Sequence, residues 1–109
     1  MGYLDQQDFR SAMPFRSGAG DYLDIYRALA DTGDDHAMFE LGCAYSTGSH
    51  GLPCDMVEAH KWFNLAAANG HEEAPQCRCE VASEMTAREI ADAQRNARAW
   101  LIENARLDA

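Results

Sequence analysis

The side chains in this 109-residue chain best suited to chemistry are four cysteines, Cys43, Cys54, Cys77 and Cys79, and four histidines, His36, His50, His60 and His71. Together they suggest a metal site first. Zinc cysteines usually sit on a turn with about two to four residues between them. Cys77 and Cys79 have one residue between them, on a segment patterned as a helix, and side chains two positions apart on a helix point roughly 200° apart. One ion cannot reach both without unwinding that helix, so no metal site is expected. Cys43 and Cys79 read instead as small buried apolar residues. Cys54 differs, because it lies in a loop just before a predicted helix, where the helix dipole lowers a thiol pKa. A thiol- or metal-responsive regulator centred on Cys54 is the competing functional reading. His60 and His71 have no evident carboxylate or nucleophile partner. There is no Ser/His/Asp order, no phosphate-cradling loop and no carboxylate pair. The sequence therefore predicts no catalytic activity and no cofactor.

The elements that would hold these residues are helices. Tyr22, Leu23, Tyr26, Leu29 and Ala30 stand at helical spacing over about Asp21–Thr32, with Gly33 positioned to end the helix. Ala37, Met38, Leu41, Gly42 and Tyr45 form an apolar face over about Asp35–Ser46, with Asp34 or Asp35 as cap. Gly42 inside that helix costs about 1 kcal/mol against alanine, which points to close approach of a neighbouring helix. Gly48, Gly51 and Pro53 then mark a loop. Asp55 and Glu58 read as a capping box for a third helix reaching Asn69, whose apolar stripe is Val57, Ala59, Trp62, Phe63, Ala66 and Ala67. The Trp62–Phe63 pair is expected in the core. Pro75 confines the start of a fourth helix to Glu73 or Ala74, and that helix ends near Glu84. Thr86 and Glu89 form a second capping box for a long fifth helix to about Arg106, its seam made of Ile90, Ala93, Ala97, Trp100 and Leu101.

Composition allows one domain. Residues 1–20 read as a flexible lead ending in Ser17-Gly18-Ala19-Gly20, from which Leu4, Phe9, Met13 or Phe15 dock on the body. The net charge of −9 is lopsided, with −7 carried by residues 1–58 and −2 by residues 59–109. No basic stripe is read that would displace counterions from nucleic acid, so nucleic acid is excluded as a partner. No run of about 18 apolar residues exists to span a membrane. The first residues carry acids where a secretory signal would carry bases, so the expected location is cytoplasmic, with reduced thiols.

A longer-range pattern organises these helices. Tyr26, Ala30, Gly33 and Ala37 are matched 37 residues later by Phe63, Ala67, Gly70 and Ala74. A fixed period of this size marks a helical solenoid, each repeat one supersecondary unit stacked on the next. Ala37, Leu41, Gly42, Tyr45, Gly48, Gly51, Asp55, Ala59, Trp62, Phe63, Ala66, Ala67 and Gly70, followed by His71, closely resemble one complete Sel-one-like repeat, a tetratricopeptide-related family. Glu84 to Arg95 resembles the terminal segment of short bacterial members. The resemblance implies an all-α, right-handed α-α superhelix of about five helices. Residues 21–33 would be a partial repeat, 34–70 a complete one, and 71–109 a degenerate repeat with a C-terminal capping helix. Arg78 and Cys79 depart from the pattern where Leu41 and Gly42 stand one period earlier. Members that use disulfides staple the two helices of a repeat, and no cysteine pair here follows that scheme.

The family carries no shared catalytic residues, so the resemblance implies a non-catalytic protein–protein interaction module, an adaptor or regulator. The first helix of each pair lines the concave surface. Met38, Phe39 and Glu40 are thus candidate partner contacts, bordered by His36 and Asp35. Charge complementarity favours a basic or amphipathic protein or peptide partner. Tyr22, Leu23 and Tyr26 are candidates for self-association into a homo-oligomer, in which the chain would otherwise serve as a structural subunit.

Overall fold

The computed structural model describes residues 19–108 and, among them, five α-helices and no strand. Of the expected flexible lead over residues 1–20, positions 1–18, with Leu4, Phe9, Met13 and Phe15, lie outside the described residues, while Ala19 and Gly20 are not a lead but the start of the first helix. The helices are α1 (Ala19–Asp31), α2 (Asp35–Thr47), α3 (Met56–Ala68), α4 (Ala74–Ala82) and α5 (Ala87–Asp108). α3 is the central element and packs against α2, α4 and α5, while α1 packs against α2.

Local chemistry sets most of the boundaries. Asp34 caps α2, its carboxylate accepting the Ala37 N–H at 3.1 Å. Asp55 caps α3 in the same way through the Glu58 N–H at 3.1 Å. The expected reciprocal half of that box is absent, because Glu58 turns to Lys61 and pairs with its ammonium at 3.1 Å. The second box is complete. Thr86 Oγ1 accepts the Glu89 N–H at 3.1 Å, and Glu89 Oε1 accepts the Thr86 N–H at 2.8 Å. Pro75 stands in the first turn of α4, where its missing N–H costs nothing.

α1 and α3 end in the same turn. Gly33 N–H donates to Ala30 O and Asp34 N–H to Leu29 O; 37 residues on, Gly70 N–H donates to Ala67 O and His71 N–H to Ala66 O. Both glycines are left-handed, with φ of 93° and 94°, a conformation in which a Cβ would be strained. The buried alanines Ala37 and Ala74 follow at equivalent positions.

Two clusters make the interior. The larger joins Ala30, Ala37, Met38, Leu41, Trp62, Leu65, Ala66, Ala74 and Ala97, with Trp100 edge-on to Trp62 at 5.8 Å. The smaller is Ala59, Phe63 and Val81, against which Phe39, Cys43 and Cys77 pack. The expected core pair Trp62–Phe63 is fully enclosed. Two seam residues are not where the pattern puts them: Leu29 is 42% and Leu101 47% exposed. Each belongs to a helix covered on one side only, so the residue at the edge of its apolar arc has nothing to pack on.

α2 and α3 touch most closely at Gly42. A Cβ built there would stand 2.6 Å from Phe63 Cδ1, well inside van der Waals contact. Gly42→Ala forces the buried ring to move, an overpacking cost on the order of 1–3 kcal/mol, which outweighs the ~1 kcal/mol helix-propensity gain. Thermal unfolding followed by circular dichroism should show Gly42→Ala melting several degrees lower. Gly20→Ala, with nothing within 4 Å, should leave the midpoint unchanged or raised.

Candidate interaction site

Phe39 projects from α2 beside the buried residues Met38 and Leu41. Its ring stacks on His71 with centroids 4.0 Å apart and planes 11° apart, and it leans on Phe63 at 5.5 Å. His71 cannot rotate freely, because its Nδ1 accepts the Glu73 N–H at 3.2 Å. His36 lies 6.4 Å from the His71 ring and 3.6 Å from the Glu40 carboxylate. The sequence-derived residues His36, Phe39 and Glu40 thus come together on one surface, joined by His71 from the turn after α3. Met38 does not join them. It is fully buried, with its sulfur facing the Asn69 amide at 3.5 Å. One helical step of about 100° separates it from Phe39, enough to turn it from the surface into the core.

The surface continues onto α4. Glu72, Glu73, Gln76, Cys77 and Glu80 line an open cleft of about 350 Å³. Cys43, like Cys77, packs against the smaller cluster beneath it. Burial, then Glu40, Cys77 and Glu73, push the Cys43 thiol up to about 11. Burial, then Glu80 and Glu73, also raise Cys77. Both thiols therefore stay protonated at neutral pH, and the carboxylates around them carry the charge. Cys77 is half-buried and Cys79 exposed, which corrects the expectation of a buried Cys79. The two-residue step that separates them by roughly 200° turns one toward α3 and the other to solvent. Cys54 is exposed, its thiol directed at Ser46 O at 3.6 Å. Among the described residues no three His, Cys, Asp or Glu side chains converge to hold a metal ion.

The three residues expected in self-association face inward in part. Tyr22, Leu23 and Tyr26 pack against the larger cluster. Tyr22 is the pin: its hydroxyl donates to Glu40 O at 3.1 Å, and its ring lies between Tyr26 at 4.5 Å and His50 at 4.0 Å. Burial first, then Glu40, raise its pKa to about 12. His50 holds φ of 58° at this stack, a conformation in which histidine is enriched among non-glycine residues.

Sequence reading missed the buried polar pair on α3. Lys61 is 6% exposed, its ammonium paired with Glu58 and 4.5 Å from the Trp62 ring centre. His60 is 4% exposed, and its Nδ1 has no hydrogen-bond partner among the described residues. Both fall outside the apolar stripe by residue type, so no periodicity flags them.

No family model, curated protein or solved structure matches the chain.

Two measurements follow from these environments. Alkylation at neutral pH should modify the exposed Cys54 and Cys79 first and Cys43 and Cys77 last. Modification of Cys54 well ahead of Cys79, which is also exposed, would mark an activated thiol. Burial, then the Arg78 cation, hold the His60 pKa below 6.5. The unfolded chain therefore takes up this proton first as pH falls. The stability from a neutral His60 is complete above about 6.5 and is lost toward the lower folded value. The unfolding midpoint should drop across that window, and His60→Leu should flatten the drop; equal slopes in both proteins would rule His60 out as its source.

Proposed function

We propose that this chain is a short member of the Sel-one-like repeat family, a right-handed helical solenoid that acts as a non-catalytic adaptor. The matched turns after α1 and α3, and the approach of α2 to α3 at Gly42, support the repeat reading. The observation that carries the function is the Phe39–His71 stack. It stands half-exposed, braced from below by Phe63, with Glu40 and Glu73 beside it and Glu80 in the neighbouring cleft of α4. Among the described residues no lysine or arginine pairs with these three carboxylates.

Such a surface suits a segment presenting lysine or arginine together with an apolar side chain. The carboxylates meet the cations, and the fixed ring stack supplies apolar area with little conformational entropy left to lose. A basic amphipathic helix has both features on one face. Four free thiols support a reducing compartment, the cytoplasm. No helix among the described residues is long and apolar enough to cross a membrane.

Affinity capture from native cell extract tests this. The Phe39→Ala, Glu40→Lys double variant should lose a partner that wild type retains, with unchanged helicity. Capture of the same proteins by both would remove the α2–α4 surface as the binding site.

A further inference from the structure

The groove on α2 and α4 leaves a second surface unexplained. The large aliphatic side chains that stand exposed among the described residues are Ile25 (57%), Leu29 (42%), Leu101 (47%) and Ile102 (54%). They belong to α1 and α5, and these two helices meet. Asn104 Nδ2 donates to Asp31 O at 3.3 Å, and Asp31, Thr32 and Gly33 share one cleft with Trp100, Leu101 and Asn104.

Helical geometry shows what each offers. On α1, Leu23, Tyr26 and Ala30 face the core. Ile25 and Leu29 lie roughly 110° around the helix from them, with Asp24 beyond. On α5, Ala93 and Ala97 face the core. Arg88, Arg95, Arg98 and Ile102 share an arc of about 80° on the opposite side. Arg95 pairs with Asp92 of its own helix. Among the described residues, Arg88 and Arg98 pair with no carboxylate and Asp24 pairs with no base. An otherwise acidic chain therefore presents an arginine-and-isoleucine face on α5 next to an aspartate-and-isoleucine face on α1.

We propose that this surface binds a second copy of the chain, α1 of each copy against α5 of the other, about a two-fold axis. A two-fold contact requires a surface complementary to itself. Here each copy supplies both members of each match: Ile25 and Leu29 for Ile102 and Leu101, and Asp24 for Arg98. An unrelated acidic or basic partner would match one helix and repel the other. The contact leaves the α2–α4 groove open, so it stands independently of the adaptor reading. It also moves self-association from Tyr22, Leu23 and Tyr26 to the neighbouring stripe of α1.

Sedimentation velocity of the full chain across a wide concentration range tests the contact. A monomer–dimer equilibrium is expected, weakened by salt because its ion pairs are at the rim. Ile25→Asp and Ile102→Asp, both at exposed positions, should keep the circular dichroism of wild type and weaken association on the order of tenfold or more, since each puts a charge in the apolar centre of the interface. Asp24→Arg and Arg98→Asp should each impair self-association when alone. An equimolar mixture of these two variants should restore it, because each then meets the opposite charge at both contacts. A full chain that stays monomeric at every concentration overturns the proposal. So does a dimer indifferent to Ile25→Asp and Ile102→Asp, or a charge-reversal mixture that does no better than its components.

Discussion

The approach of α2 to α3 at Gly42 is the constraint from which the rest of the arrangement follows. With no Cβ at that position, the Phe63 ring lies directly on the α2 backbone, nearer than any other residue would permit. That ring is the floor of the candidate site. Phe39 leans on Phe63, and His71 stacks on Phe39, so a contact in the interior is passed outward through three aromatic rings to the surface. The partners at each step are themselves fixed: Phe63 by the smaller cluster, His71 by the Glu73 amide. A binding surface held by the core in this way loses little freedom when a ligand arrives, which favours affinity from a small contact area.

The charge distribution divides along the same lines. Carboxylates from α2 and α4 gather at the groove, where burial first, and then Glu40, Cys77 and Glu73, raise the Cys43 pKa. Arginines gather on the outer side of α5, away from it. The histidines divide as well. His71 and His36 belong to the groove, His50 stacks under Tyr22 and secures α1, and His60 is enclosed and neutral. The residues that first suggested metal chemistry thus serve separate structural settings, and among the described residues no three of them are arranged to hold a metal ion.

Much of this was legible in the sequence because the signals are local. Asp34, Asp55, Thr86 with Glu89 and Gly33 each act through hydrogen bonds within a few residues, Pro75 acts through the backbone N–H it lacks, and the helix boundaries follow them. Gly42 was legible for a different reason: glycine inside a helix is unfavourable unless something approaches it. Properties that depend on the second helix in a contact were not. Met38 and Phe39 are adjacent apolar residues one helical step apart, and the position of α3 decides that Met38 is enclosed and Phe39 half-exposed. Leu29 and Leu101 obey the helical period yet remain exposed, because α1 and α5 each pack on one side. The burial of Lys61 runs against its residue type and depends on Glu58 turning toward it. Cys77, read only as a partner of Cys79 in a rejected metal pair, reaches the groove through the placement of α4 against α3.

The central claim is that the Phe39–His71 stack and the carboxylates beside it form the binding surface. It is tested most directly by titrating the isotopically labelled full chain with a short lysine–leucine amphipathic peptide and following backbone amide shifts by NMR. The account predicts saturable shifts confined to His36, Phe39, Glu40, His71 and Gln76, lost in Phe39→Ala. Shifts spread over the acidic residues of α1 and the rest of the surface, or unchanged by Phe39→Ala, would contradict it.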